Sequence, residues 1–385
     1  MLTLIENGEV YAPQPRGTPS LLLAGKRILK IGAIDGRALD ALPLEVDIID
    51  ATDCLITPGL IDPHEHLTGG SGERGYSTQT PEIYASEIIC AGITTVVGCL
   101  GVDTTTKSLH ALLAKVKGLK EEGLSAYVWT GGYNVPPTTI TGSVRDDIML
   151  IEEVIGAGEI AISDVRSTEA ATHELARLAN DAYVGGLLSK KCGLTHFHVG
   201  DKEARLRPLR ILIEEYETPP AWLYPTHVER NEALMLEAID LTHRGAFVDI
   251  DTVEEDLTKW LRFYLEHDGD PQQLTVSSDA SISSPRTLFQ QMRACVLEHQ
   301  IPLEQVLPLV TSNTARVLKL DDRGTLEAGK LADLLVLNRE SLEIKDVICG
   351  GRRLMKNGRL TFNEKFLEES NRRIRLDGRK AKEFV

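Results

Sequence analysis

Near residue 60 the chain reads Gly59-Leu60-Ile61-Asp62-Pro63-His64-Glu65-His66, an apolar run that ends in two histidines separated by one residue. Side chains of a β-strand alternate between its two faces, so His64 and His66 project to the same face and can hold one cation between them. An isolated pair of this kind is more often two unrelated surface or core histidines. Here the pair closes an apolar strand and precedes the glycine-rich turn 69–72. Barrel enzymes place their chemistry at such strand ends, which favours a metal site.

Composition limits the class of protein. The chain has 385 residues, 42% of them hydrophobic, which is enough for a large core and too long for one small domain. The formal net charge of −15 argues against a nucleic-acid partner or an anionic-membrane partner, because both need clustered basic residues. No apolar run reaches the roughly 18 residues that span a bilayer, and the first residues lack a basic segment followed by an apolar one. We therefore expect a cytoplasmic globular protein.

The cysteines agree with a reducing compartment. None of them forms a C-x-x-C pair, and most lie in apolar segments, which is typical of buried thiols rather than of disulfides or zinc knuckles. The six cysteines are Cys54, Cys90, Cys99, Cys192, Cys295 and Cys349.

The middle of the chain alternates apolar strands with helical stretches. Eight strands are predicted, at residues 60–66, 93–99, 124–129, within 156–163, and at 194–199, 222–227, 246–250 and 274–279. Helical stretches follow them, for example at 109–122, 168–183 and 231–243. The pattern predicts an α/β protein with a (β/α)8 TIM-like barrel. An open doubly wound sheet alternates in the same way, but no G-x-G-x-x-G opens the first helix.

Both chain ends are rich in short β-type runs broken by turns. Such runs occupy residues 4–5, 10–11, 20–23, 27–31 and 46–49, and the pattern returns at 324–337 and 344–354. We expect the two ends to build one small β-sandwich domain, residues 1–55 with 322–385. The barrel would then comprise residues 56–321.

Further candidate ligands fall at strand ends of this frame. His198 closes the predicted fifth strand, His227 the sixth and Asp279 the eighth. Each alone could be a capping aspartate or a histidine bonded to backbone. As a set, four histidines and an aspartate converge on one barrel mouth, and nitrogen and carboxylate ligands suit Zn²⁺ or a similar ion. Five ligands suit two metals better than one, and two metals sharing a hydroxide indicate hydrolysis.

With these residues the chain resembles the amidohydrolase superfamily. More narrowly, it resembles the bacterial isoaspartyl (β-aspartyl) dipeptidases of peptidase family M38 over nearly its whole length. The segments that carry the resemblance are His64-Glu65-His66-Leu67-Thr68-Gly69-Gly70, Thr141-Gly142-Ser143-Val144, Ala161-Ile162-Ser163-Asp164, Pro225-Thr226-His227-Val228-Glu229-Arg230-Asn231 and Gly329-Lys330-Leu331-Ala332-Asp333-Leu334.

The resemblance implies a role for each site residue. It makes His64, His66, His198, His227 and Asp279 ligands of two zinc ions, with Asp279 also moving the proton. Glu73 would meet the α-ammonium group of a small dipeptide substrate and Tyr133 the scissile carbonyl oxygen. The carboxylates of the substrate would meet Arg166, Arg230 and Ser283. Acidic and basic side chains together suit a dipeptide that carries both charges.

Two departures from the family pattern affect the site. The family commonly has a carbamylated lysine at the end of the fourth strand, where this chain has Glu159. Glutamate also offers two oxygens and one negative charge, so Glu159 is predicted to bridge the two zinc ions together with hydroxide. Ser71 and Val102 also differ from the family's residues, and Ser71 is predicted to contact the substrate.

The sequence predicts a metal-dependent hydrolase that cleaves the isopeptide bond of β-aspartyl dipeptides. Another amidohydrolase, acting on N-acyl amino acids or cyclic amides, is the alternative. A metal-free scaffold homologue is a third interpretation, against which the retained histidines argue. Because relatives form them, a homo-oligomer is expected.

Overall fold

Eight parallel strands follow one another around a barrel in the computed structural model, which describes residues 2–36, 39, 45–254 and 256–368. Six of the strands lie side by side in chain order, and the last two form a parallel pair. A parallel bridge between Glu65 and Ala280 joins the eighth strand to the first. The strands are β7 (Leu60–Glu65), β8 (Ile93–Gly98), β9 (Ser125–Thr130), β10 (Val154–Ile162), β11 (Thr195–Val199), β12 (Leu223–Thr226), β13 (Val248–Asp251) and β14 (Leu274–Ser277).

Helices lie between these strands and cover the barrel. They are α1 (Ala85–Cys90), α2 (Leu109–Glu122), α3 (Val144–Leu150), α4 (Thr172–Ser189), α5 (Arg207–Glu215), α6 (Glu232–His243), α7 (Leu257–Glu266), α8 (Arg286–Leu297), α9 (Leu303–Val306), α10 (Ser312–Val317) and α11 (Lys365–Glu368). Short 3-10 turns occupy Tyr76–Thr78, Pro220–Trp222, Val228–Arg230 and Leu307–Val310. The predicted (β/α)8 barrel is confirmed.

Local sequence explains where the best-predicted helix begins and ends. The Ser108 side chain accepts a hydrogen bond from the backbone N–H of Ala111, at 3.2 Å, and satisfies an N–H at the start of α2. Gly123, with a φ of 116°, ends the helix in a conformation that favours glycine. Leu112, Val116 and Leu119 bury one face of α2 against the barrel.

Two further sheets come from the chain ends. Their strands are β1 (Leu2–Glu6), β2 (Glu9–Val10), β3 (Ser20–Ala24), β4 (Arg27–Gly32), β5 (Val46–Asp50), β6 (Cys54–Pro58), β15 (Leu334–Asn338), β16 (Ile344–Cys349), β17 (Arg352–Lys356) and β18 (Arg359–Leu360). One sheet has the order β4-β3-β1-β5 and the other the order β18-β17-β16-β15-β6-β2.

These two sheets share one core, separate from that of the barrel. Ile5, Leu21 and Ile28 from the first sheet pack with Ile56 and Val336 from the second. Chain-end strands therefore form a β-sandwich, as predicted. The domain limits at residues 55 and 322 stay a prediction, and residues 369–385 of the assigned sandwich lie outside the described residues. In the part of the chain that the structure describes, no helix is long and apolar enough to cross a membrane.

Candidate metal centre

The structure brings the predicted ligands together at the carboxyl end of the barrel. All six lie in a barrel strand or within two residues of its end. Their burial is nearly complete except at the two that face the mouth, His66 and Asp279, whose side chains are 14% and 19% exposed. They are His64, His66, Glu159, His198, His227 and Asp279.

Glu159 lies between two pairs of histidines. Its Oε2 is 3.4 Å from Nε2 of His64 and 3.8 Å from Nε2 of His66. Its Oε1 is 2.6 Å from Nδ1 of His198 and 3.3 Å from Nε2 of His227. The side chain is 1% exposed, so Glu159 is a buried residue of the site rather than a solvated one. Each carboxylate oxygen faces one pair of ring nitrogens.

A bulge in β10 places this carboxylate. Ala157 pairs with Thr195 and Ile160 pairs with Phe197, so Gly158 and Glu159 together face one residue of β11. The extra residue bends the strand and redirects the side chain that follows. Gly158 has a φ of 155°, and a Cβ there would lie 2.8 Å from Cβ of His196. Only a glycine lets the bulged strand approach β11 this closely.

Asp279 completes the first pair of histidines. Its Oδ1 lies 3.3 Å from Nε2 of His64 and 3.1 Å from Nε2 of His66. Asp279 has a φ of 45°, and His227 has a φ of 62°. Non-glycine residues seldom adopt this left-handed conformation, and those that do are concentrated at functional sites. Each of these two residues turns its strand end so that the side chain faces the barrel axis.

The unpartnered polar atoms of the site fit a cation. Nε2 of His64, Oε2 of Glu159 and Oδ1 of Asp279 are buried without a hydrogen-bond partner. Buried polar atoms are costly unless they are paired, and one divalent ion would satisfy all three. A second group, formed by Glu159, His198 and His227, has its ligand atoms within 4.8 Å of one another. These nitrogen and carboxylate donors suit two ions of the zinc type.

Both carboxylates are ionised. Burial opposes the charge on Glu159, but His64 and His198 hold its pKa well below the usual value. Burial likewise opposes the charge on Asp279, but the neighbouring His64 and His66 lower its pKa. Two negative side chains in a buried cluster of histidines attract cations.

Two aspartates that were not predicted as site residues orient His198 and His227. Oδ2 of Asp251 lies 2.6 Å from Nδ1 of His227, and Oδ2 of Asp164 lies 3.0 Å from Nε2 of His198. A carboxylate on the far ring nitrogen fixes the tautomer and the orientation of a ligating histidine. Asp251 ends β13 and Asp164 follows β10. An acidic residue at the end of a barrel strand is the sequence feature that could have identified both.

Cys99 also lies in the site. Its Sγ is 3.8 Å from Nδ1 of His66, and the side chain is fully buried directly after β8. His64, His66, Cys99 and Glu159 form one group whose ligand atoms lie within 4.8 Å of one another. The sequence analysis treated Cys99 only as a buried thiol.

Tyr133 reaches the second pair of histidines. Its hydroxyl lies 2.8 Å from Nδ1 of His198, and the residue is 5% exposed. Burial, followed by the charge of Glu159, raises the pKa of Tyr133 well above its usual value, so the hydroxyl keeps its proton. The Tyr133 backbone is held by bonds to Gly101 and Ala161, at 3.2 Å each. The phenol is thus a fixed hydrogen-bond donor at the site.

Glu73 and Arg166 form an ion pair above the histidines. Nη1 of Arg166 donates to Oε1 of Glu73 at 2.5 Å, while Nε and Nη2 donate to the carboxylate of Asp164 at 2.9 and 2.7 Å. Nη2 also lies 3.0 Å from Nε2 of His198. The Glu73 side chain is 59% exposed and that of Arg166 is 30% exposed. The pair therefore lies between the metal ligands and solvent.

The other predicted substrate contacts are not joined to this cluster by the described contacts. Arg230 donates from Nε to the backbone oxygen of Val199 at 2.7 Å and from Nη1 to Asp201 at 3.3 Å. Oγ of Ser283 is buried without a partner, and Ser71 is half-buried. A Cβ at Gly70 would lie 3.1 Å from Cβ of Ser281, so the loops that carry Ser71 and Ser283 are neighbours.

Comparison with protein families and curated proteins gives a broad assignment. The Amidohydrolase family model matches residues 227–354. The 5'-deoxyadenosine deaminase of Methanothermobacter thermautotrophicus is 23% identical over 436 residues, covering 91% of this chain and 96% of that protein.

Comparison with solved structures gives a narrower assignment. A beta-aspartyl dipeptidase from the thermophilic, keratin-degrading Fervidobacterium islandicum AW-1 is 39% identical, with a TM-score of 0.90, and covers 94% of this chain and 99% of that chain. A structure of a beta-aspartyl dipeptidase from the same organism, in complex with a beta-Asp-Leu dipeptide, is 37% identical, with a TM-score of 0.88 and the same coverage.

Proposed function

Because this chain belongs to the beta-aspartyl dipeptidases, within the amidohydrolase superfamily, we propose that it hydrolyses the isopeptide bond of β-aspartyl dipeptides. The observation that carries the proposal is 39% identity over 99% of a dipeptidase of this kind, together with a buried cluster of metal-binding side chains at the barrel mouth. The chain is a hydrolase, and its substrate is a small dipeptide.

We propose that two zinc ions bind here and that Glu159 bridges them. His64, His66 and Asp279 would hold one ion, and His198 and His227 the other, with one oxygen of Glu159 directed to each. When bound, such a pair lowers the pKa of water and polarises a carbonyl group. The separation of the two Glu159 oxygens between the two histidine pairs supports this assignment.

Asp279 is proposed to move the proton. A carboxylate that stays ionised at neutral pH can take a proton from the attacking water and then deliver it to the leaving amine nitrogen. Its position beside both His64 and His66, on the strand end that faces the barrel mouth, supports this role. Tyr133 is proposed to donate its hydroxyl proton in a hydrogen bond to the scissile carbonyl oxygen, where negative charge develops.

Glu73 and Arg166 are proposed to recognise the charged end of the substrate. The α-ammonium group would replace Arg166 beside Glu73, and an α-carboxylate would replace Glu73 beside Arg166. A zwitterionic end can thus exchange with the ion pair and give a new partner both to Glu73 and to Nη1 of Arg166, which otherwise bond to each other. Arg230, Ser71 and Ser283 are proposed to meet the remainder of the dipeptide from the surrounding loops.

We also propose the molecular context. Six unpaired cysteines, five of them buried, support a cytoplasmic protein, and the net charge of −15 supports the absence of a nucleic-acid or membrane partner. Exposed apolar side chains at the ends of α3 and α4, including Leu150, Leu187 and Leu188, support a homo-oligomer. Residues 56–321 would form the catalytic barrel, and residues 1–55 with 322–385 the sandwich.

Hydrolysis of matched substrates tests the function. The zinc-loaded protein should cleave β-Asp-Leu with a kcat/KM at least about 100-fold above that for α-Asp-Leu, because a pocket built around paired charges rejects a misplaced carboxylate strongly. Hydrolysis of N-acetyl-leucine and of a cyclic amide such as hydantoin is measured in parallel. Faster turnover of either than of β-Asp-Leu would instead place the chain among the amidohydrolases that act on those compounds.

A further inference from the structure

His196 is a buried histidine that the proposed reaction does not use. It lies two residues before His198 in β11, so both side chains leave the strand on the same face. The residue is 0% exposed. Its ring packs between Trp129 and Tyr224, with ring centroids 5.3 and 4.7 Å away. A ring held on both sides in this way has a fixed orientation.

Each ring nitrogen of His196 has one partner. Nδ1 lies 3.0 Å from the backbone oxygen of Tyr224, and Nε2 lies 3.0 Å from Nδ1 of His64. A backbone oxygen only accepts hydrogen bonds, so Nδ1 of His196 carries a proton and donates it. In the part of the chain that the structure describes, no carboxylate forms an ion pair with His196, and a buried imidazolium without one would be costly. Nε2 of His196 therefore accepts.

The chain of hydrogen bonds then fixes the tautomer of His64. Nδ1 of His64 donates to Nε2 of His196, which leaves Nε2 of His64 without a proton. That atom is the unpartnered nitrogen directed at Glu159 and Asp279. The arrangement presents a lone pair to the place where the first cation is expected.

We infer that His196 is a positioning residue, which presents the unprotonated Nε2 of His64 to the cation shared with His66 and Asp279. The inference rests on the proposed metal site. Its evidence is the relay from the Tyr224 backbone through His196 to His64, which contains no carboxylate. His227 is held instead by the carboxylate of Asp251 at 2.6 Å, which makes a ligating imidazole more basic. The two cation sites consequently differ in how one histidine ligand of each is held.

Two substitutions of His196 distinguish its hydrogen bond to His64 from its hydrogen bond to the Tyr224 backbone. Glutamine can place an amide oxygen where Nε2 lies and so keep an acceptor for His64. Asparagine is shorter, reaches only the position of Nδ1, and leaves His64 without an acceptor. Histidine to asparagine at the exposed His173 on α4 is the matched control. The measurement is the zinc affinity of each site, by competition with a chelator in the absence of substrate, with thermal unfolding to check the fold.

The His196→Asn variant should bind one zinc ion as the wild type does and the other about 10- to 100-fold more weakly. The His196→Gln and His173→Asn variants should stay within a few-fold of the wild type at both sites. Wild-type affinity at both sites in His196→Asn would overturn the inference, and so would an equal loss in His196→Gln. If the wild type binds two zinc ions and cleaves no dipeptide, the proposed function fails and the positioning role of His196 stands.

A second measurement does not depend on the variants folding. Neutron diffraction or nitrogen-15 spectra of the zinc-loaded wild type should show His196 protonated on Nδ1 alone and His64 protonated on Nδ1 alone. A proton on Nε2 of His196 would overturn the inference, because that nitrogen could then no longer accept from His64.

Discussion

Asp279 is the residue on which the proposed chemistry depends most. It is directed at His64 and His66, and its pKa is lowered, so it is ionised at the pH at which a dipeptide would be hydrolysed. An amide of the same shape keeps one oxygen for the cluster but cannot accept a proton. Substitution by asparagine therefore separates proton transfer from substrate binding.

The Asp279→Asn variant should lose activity by a factor on the order of 10² to 10⁴ in kcat, with a smaller change in KM. Steady-state kinetics on β-Asp-Leu measure both constants, and Asp240→Asn, an exposed change on α6, is the control. A near-native kcat in Asp279→Asn would show that another group moves the proton.

Glu73 gives a test of recognition. Replacing it with glutamine turns a charge-assisted hydrogen bond to the substrate ammonium into a neutral one, and Glu73 is half exposed, so we expect about a tenfold loss in kcat/KM for β-Asp-Leu. The inhibition constant of N-acetyl-β-Asp-Leu should change little, because that compound has no ammonium group. The exposed Glu203→Gln is the control. Equal losses for both compounds would remove Glu73 from the ammonium site.

The His196 and His198 pair shows that the spacing of two histidines predicts the face of a strand but not which rings reach the metal site. The spacing in Thr195-His196-Phe197-His198 is the same as in His64-Glu65-His66, and strand periodicity places each pair on one face. Both rings of the first pair reach the proposed cation, but in the second pair only His198 does. How deep a strand residue lies in the barrel depends on the stagger of neighbouring strands, which periodicity does not contain.

Strand β10 is the element that decides whether Glu159 can replace a longer carbamylated lysine. Glutamate is shorter than a carbamylated lysine, so either the fourth strand lies closer to the metals or the metals shift towards it. The bulge at Gly158 bends this strand and redirects the side chain of Glu159. No sequence pattern predicted the bulge, because it depends on how β10 pairs with β11. Gly158 is the position at which the bulge can be tested.

The Gly158→Ala variant should lose metal and activity together. The added Cβ would lie 2.8 Å from Cβ of His196 and 3.0 Å from its backbone oxygen, so the bulge must move and Glu159 with it. Overpacking of this kind costs about 1–3 kcal/mol of stability. The control is Gly245→Ala, where φ is 96° and nothing lies within 4 Å. Metal analysis and thermal unfolding compare them, and equal metal content in both variants would contradict this role of the bulge.

Helix α4 shows a boundary that local signals missed. The sequence predicted a helix over residues 168–183, whereas α4 runs from Thr172 to Ser189 and includes Gly185 and Gly186. Glycine is unfavourable in helix interiors, so local sequence predicts an end before Gly185. A Cβ at Gly186 would lie 2.4 Å from Cα of Gly193, and one at Gly185 would lie 3.1 Å from Cβ of Ile148. Close packing against α3 and the chain before β11 requires both glycines.

At the scale of the whole molecule, the union of the chain ends was predictable from repeated β-type patterns, but the contact between barrel and sandwich was not. Arg323 is 6% exposed and donates from Nη1 to Oγ1 of Thr95, in barrel strand β8, at 2.8 Å. The same nitrogen is 3.9 Å from Oδ2 of Asp333, next to sandwich strand β15. The Asp333 backbone oxygen accepts from the N–H of Gly59, at 3.0 Å, just before β7.

The metal content of the wild-type protein and of Glu159→Ala, both prepared in bicarbonate-free buffer and loaded with zinc, tests the bridging role of Glu159 most directly. We expect nearly two zinc ions per wild-type chain, an activity that added bicarbonate does not change, and loss of both metal and turnover in Glu159→Ala, because one carboxylate holds both ions. A Glu159→Ala protein that keeps two zinc ions and normal turnover would contradict it.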